Sequence, residues 1–123
     1  MAYRATRHLT ILNAERLVES LGPPHTICVT GHPRGGTSAV ALLLRELGLF
    51  MGEEIDPRNH EDIPLQRARG DPAAFAAIAR RYDAAHKAWG FKLPVGSRMG
   101  RALLPLLRNP VQIVVARNPV AVI

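Results

Sequence analysis

The residues best suited to chemistry lie in the stretch TGHPRGGTSAV, positions 30–40. Its spacing, G-x-x-x-x-G followed by two hydroxyl residues, suits a loop that grips a phosphate-like anion with backbone amides at a helix N-terminus. Gly35 and Gly36 let the backbone wrap closely, and the hydroxyls of Thr37 and Ser38 add donors. The competing reading is a plain strand–turn–helix corner in which Thr37 only caps the helix. A strand on one side and a helix on the other favour the anion loop. Two absences narrow the anion. No lysine precedes the hydroxyl at 38, where a nucleoside triphosphatase would carry it, and the nearest cation is Arg34. Neither later apolar run ends in an aspartate of the kind that helps hold Mg²⁺; the last ends in Arg117. Cations and hydroxyls without metal ligands suit an anionic donor that needs no magnesium, and no metal site is expected.

These residues need elements to position them. Residues 9–21 read as a first helix, with Leu9, Leu12, Leu17 and Leu21 loosely on one side and Gly22-Pro23-Pro24 ending it. TICVTG (26–31) is a short β-rich run bounded by turn residues and predicts a buried strand. In the helix that follows, Val40, Leu43, Leu44 and Leu47 recur at i, i+3, i+4 and i+7, with Gly48 at the C′ position. A polar loop then leads to a short helix from about Glu61, whose Pro64 fits only the first turn. Asp71-Pro72 is an N-cap with proline at N1, and the helix it starts places Phe75, Ile78, Ala79 and Tyr82 on one face. WGFKLP (89–94) predicts a second strand, with Trp89 in the core and Lys92 at its end. Residues 97–107 predict a helix whose last turn Pro105 must loosen. VQIVVAR (111–117) predicts a third strand, apolar enough to be buried on both faces, and NPVAVI the start of another helix. Strands alternating with helices predict an α/β fold, a parallel sheet flanked by helices.

Bulk properties agree with a folded chain of one domain at most. At 123 residues, with 47% hydrophobic and 21% charged residues, it has the composition of a packed domain and not of a disordered tail. The net charge is +6, and fourteen of the sixteen basic residues are arginine. They are scattered with few aromatics between them, so no nucleic-acid platform is expected. Cys28 sits in an apolar run as a buried small hydrophobe. No apolar run reaches transmembrane length and no leader is visible, so a cytoplasmic protein without a membrane span is expected. The apolar ending, without a helix stop signal, predicts that residues 1–123 are the N-terminal part of a single, truncated domain, incomplete at the C-terminus.

With the motifs in place, a resemblance emerges. PRGGTS directly after a strand resembles the 5′-phosphosulfate loop of the sulfotransferases that use 3′-phosphoadenosine 5′-phosphosulfate (PAPS), and VVARNPVAVI is similar to the start of their 3′-phosphate motif. LGLFMGEE, NHEDIPLQ and WGFKLP fall between them in the order seen in bacterial and carbohydrate-type members, so the likeness spans about residues 26–123. It implies a P-loop-type domain that moves a sulfuryl group from PAPS to a hydroxyl acceptor. Pro33, Arg34, Gly35, Gly36, Thr37 and Ser38 would bind the 5′-phosphate, with Arg34 neutralising charge as the sulfuryl group leaves, and Arg117 would hold the 3′-phosphate. Glu61 matches the glutamate that bacterial relatives use as base, although Asn59-His60 replaces their glycine-aromatic lead-in. The alternatives are that Glu61 and Asp62 complement a helix dipole, or that His60 is the base. Lys92 matches a lysine that faces the sulfonate or substrate, against the alternative of a solvated surface lysine. Carbohydrate, lipid, small-metabolite and protein hydroxyls all remain open as acceptors, as does the oligomeric state. The rival enzyme is a P-loop kinase-like phosphotransferase, and the rival non-enzyme an inactive, truncated nucleotide-binding fragment.

Overall fold

The structure, a computed structural model, describes residues 3–5, 10–12, 16, 19, 21–31, 36–93 and 101–115. Two short strands, β1 (Tyr3–Ala5) and β2 (Thr10–Leu12), pair antiparallel, with Tyr3 opposite Leu12. The helix expected over 9–21 is therefore corrected at its start. Thr10-Ile11-Leu12 contains β-branched residues that favour an extended backbone once β1 offers a ladder partner. Among the described residues of this stretch, helical backbone begins further on, at Arg16, Glu19 and Leu21.

The centre is a three-stranded parallel sheet in the order β4-β3-β5, made of β3 (His25–Gly31), β4 (Ala88–Lys92) and β5 (Pro110–Val115). Between β3 and β4 the chain forms α1 (Thr37–Glu46), α2 (Ile63–Ala68) and α3 (Pro72–Ala85). Between β4 and β5, residues 101–103 are helical and Leu104–Leu106 tighten into a 3₁₀ turn, the distortion expected of Pro105. The chain leaves β3 toward one neighbour and reaches the other by crossing over, so the C-terminal end of β3 is a topological switch point, where open parallel sheets place their ligands.

Strand alternation divides the core in two. On one side Trp89, Phe91 and Leu93 pack with Cys28 against Phe75, Ala79 and Tyr82 of α3, together with Leu65, Leu103 and Leu107. The rings meet edge to face, with Tyr82 and Trp89 centroids 5.1 Å apart and Phe75 and Phe91 5.7 Å apart. Each such ring taken out of water contributes about 3 kcal/mol before entropy is counted. On the other side Val29, Ala41 and Met51 form a smaller cluster with Val40, Leu44, Ile113 and Val115 around it. Here the expected stripe of α1 is shifted: Thr37 and Ala41 turn inward, whereas Leu47 is 74% exposed and Leu43 is also exposed. The third strand is likewise only half covered. β5 lies at the sheet edge and alternates exposed and half-buried residues, with Val114 67% exposed, so its apolar run does not mean burial on both faces.

The end signals act as expected. Asp71 accepts from the Ala74 amide at 3.2 Å with Pro72 as the first helical residue, and Gly48 takes a left-handed φ of 96° after α1. α2 starts two residues later than expected, at Ile63. Burial pushes the Cys28 thiol up to about 12, so almost no thiolate exists at neutral pH. A disulfide reagent should therefore label Cys28 at the rate of unfolding and not of simple encounter, which a comparison of labelling with and without denaturant checks. Among the described residues no helix is long and apolar enough to cross a membrane.

Candidate functional site

Lys92 is placed by the same alternation that buries its neighbours. Trp89, Phe91 and Leu93 face α3, so Gly90 and Lys92 face α1. Gly90 has no space for a side chain: a Cβ there would lie 2.8 Å from the Met51 sulfur. Lys92, at the C-terminal end of β4, is not a surface lysine; its side chain is only 5% exposed. Its ammonium donates to the Asn59 carbonyl oxygen at 2.7 Å and to Ser38 Oγ at 3.2 Å, and stands 3.8 Å from Glu61 Oε2. Burial holds the Lys92 ammonium below its usual range, against the opposing pull of the Glu61 and Asp56 carboxylates.

Ser38 reaches this point from the first turn of α1. Gly36 precedes the helix with a left-handed φ of 102°, which glycine adopts freely. The Ser38 hydroxyl donates to the Asn59 carbonyl at 3.1 Å. Thr37, by contrast, is buried beside Gly31, where a Cβ would come within 3.0 Å of Thr37 Cγ2 and 2.5 Å of the Val115 carbonyl.

The third contributor is the loop after α1. Residues 50–51 run along the outer edge of β4, where the Gly90 amide donates to the Phe50 carbonyl at 2.8 Å, and so the chain is carried back to the C-terminal end of the sheet. Two Asx turns in tandem then fold IDPRNHED. Asp56 Oδ1 accepts the Arg58 amide at 2.9 Å, and Asn59 Oδ1 accepts the Glu61 amide at 3.0 Å. Asp56 also holds the otherwise exposed Arg58 side chain, and those hydrogen bonds keep its carboxyl below the usual carboxylate range. His60, the middle residue of the second turn, has φ 61°. Glu61 is buried, with Oε1 accepting from Gln66 Nε2 at 3.2 Å.

Asp62 serves a different purpose from its neighbour. Its Oδ1 accepts the amides of Glu53 and Glu54 at 3.1 and 3.2 Å, and Oδ2 accepts the Tyr82 hydroxyl at 2.6 Å. It precedes α2 without making a side-chain cap bond to it. Asp62 ties both limbs of the loop to α3.

Of the expected site residues, Ser38, Lys92 and Glu61 are thus brought together from three elements, with Gly36 and Thr37 alongside. Pro33, Arg34, Gly35 and Arg117 lie outside the described residues, as does the helix expected from 118. Asn59 joins them through its main chain alone. The turn-forming D-P-R-N signal marks its loop, but no side-chain pattern reveals a carbonyl. Among the described residues no three His, Cys, Asp or Glu side chains are grouped to hold a metal. No family model, no curated protein and no solved structure matches the chain.

Proposed function

We propose that this chain carries the donor site of a sulfotransferase, a P-loop-type domain that moves a sulfuryl group from PAPS to a hydroxyl acceptor. The observation that carries the reading is the convergence of the Ser38 hydroxyl and the buried Lys92 ammonium on a single oxygen, beside the Glu61 carboxylate. Two such donors fit an anionic oxygen, because hydrogen bonds between charged partners are about twice as strong as neutral ones. By the sequence resemblance, the PRGGTS loop and Arg117 would supply the remaining anion contacts. When bound, the donor supplies an electrophilic sulfur and a bisphosphate leaving group. Ser38 and Lys92 offset the negative charge of that group. As the acceptor oxygen bonds to sulfur and the bond from sulfur to the 5′-phosphate oxygen breaks, Glu61 takes the acceptor's proton.

Calorimetry with adenosine 3′,5′-bisphosphate tests the reading. Binding is expected in EDTA as well as in magnesium, whereas the rival kinase reading requires the metal for turnover. Arg34→Ala and Arg117→Ala should each weaken binding about tenfold or more, the loss of one charge-assisted hydrogen bond. Unchanged affinity in both variants refutes the site.

A further inference from the structure

Resting on the sulfotransferase reading, we infer that Asn59 is a positioning residue whose main-chain carbonyl stands in for an anionic oxygen of the donor and is displaced when the donor binds. The Asn59 oxygen accepts from Lys92 Nζ at 2.7 Å and from Ser38 Oγ at 3.1 Å, and those donors bond to each other at 3.2 Å. A neutral peptide oxygen thus fills a seat whose cationic donor is almost wholly buried. A charged oxygen satisfies that seat better, since the ammonium gains an opposite charge closer than the Glu61 carboxylate at 3.8 Å.

Holding the carbonyl there strains the loop. His60 adopts a left-handed backbone that costs a non-glycine residue about 1 kcal/mol. Its Nδ1 is buried without a hydrogen-bond partner among the described residues. Turning the 59–60 peptide changes φ at His60 and so relieves the first of these costs. That peptide also carries the His60 amide, which donates to the Asp56 carbonyl at 2.8 Å. Carbonyl and amide share one plane, so moving the first breaks the bond of the second. The loop is a built-in competitor that sets the affinity of the site.

Asn59→Ala removes the side-chain acceptor that fastens the Glu61 amide and changes no charge. Adenosine 3′,5′-bisphosphate should bind this variant about fivefold tighter than the parent, the equivalent of one hydrogen bond freed from competition. A merely structural role predicts equal or weaker binding, and either result overturns the displacement while the parent's own affinity upholds the site. Binding by neither protein overturns both. A second measurement needs no variant: in the parent chain, saturation with the bisphosphate should speed hydrogen exchange at the His60 amide, and exchange that slows or stays constant refutes the idea.

Discussion

Lys92→Met should lower stability by about 3 kcal/mol and abolish measurable binding of adenosine 3′,5′-bisphosphate. Methionine matches the length of the aliphatic stem but carries no donor, so the Asn59 carbonyl and Ser38 hydroxyl each lose a partner. The larger share of the loss comes from Glu61, left as a buried carboxylate without its counter-charge. The double variant Lys92→Met/Glu61→Gln should therefore regain much of the stability and none of the binding. Chemical denaturation of parent, single and double variants checks the first claim, and calorimetry the second. A Lys92→Met protein as stable as the parent would show the pair to be energetically idle. The pH dependence carries its own signature. The folded Lys92 pKa is held below the 10.5 of an ordinary lysine, so the folded state gives up its proton first as pH rises. Stability contributed by this group is then gained between the lowered value and 10.5, and the Met variant lacks that gain.

Asp62→Ala is expected to be costlier to the fold, by about 4 kcal/mol, because three buried or half-buried donors lose their acceptor together. No rearrangement easily replaces it. The loop passes so close that a Cβ on Gly52 would lie 2.4 Å from the Asp62 side chain. Asp62→Asn should recover about half of the loss, since its amide oxygen still accepts from Glu53 and Glu54 while Tyr82 turns to accept. Burial pushes the Asp62 carboxyl above its usual value, against the hydrogen bonds from Tyr82 and the two amides. The unfolded chain ionises first as pH rises, so stability from this group is greatest below pH 3.8 and declines up to the raised folded value. The Asn variant should lose that decline. Thermal melts across the acid range would reveal it, and identical pH profiles for parent and variant would count against the assignment.

Much of this arrangement was legible in the sequence because the signals were local. Asp71-Pro72, the 3.6-residue recurrence of Phe75, Ile78, Ala79 and Tyr82, and the turn residues bounding the strands each report on their own few residues. Lys92 was legible as a strand-end residue, and its closeness to Ser38 follows from strand alternation once α1 is known to cover that face. What misled were signals that depend on neighbours far along the chain. The apolar run of β5 says nothing about which face has a partner, and Leu43 and Leu47 look like core residues until the sheet proves too narrow to reach them. Short runs such as Thr10-Ile11-Leu12 took their state from a pairing partner, not from their own spacing. The Asn59 carbonyl was invisible for a different reason: every residue has one, and only the loop conformation singles this one out.

At the opposite pole of the sheet from Lys92 stands Arg108. Its guanidinium donates to the carbonyls of Asp83, His86 and Lys87, and its own carbonyl accepts the Thr26 hydroxyl from 82 positions away. The carbonyls left open at the end of α3 are thereby gathered by a residue that arrives only with β5. Assembly must wait for distant segments to meet, which makes this a slow-folding topology whose rate, more than its chemistry, is exposed to damage at that arginine. Injury to this latch would delay maturation and shorten the lifetime of the folded chain while leaving the cluster of Ser38, Asn59 and Lys92 in each assembled molecule intact.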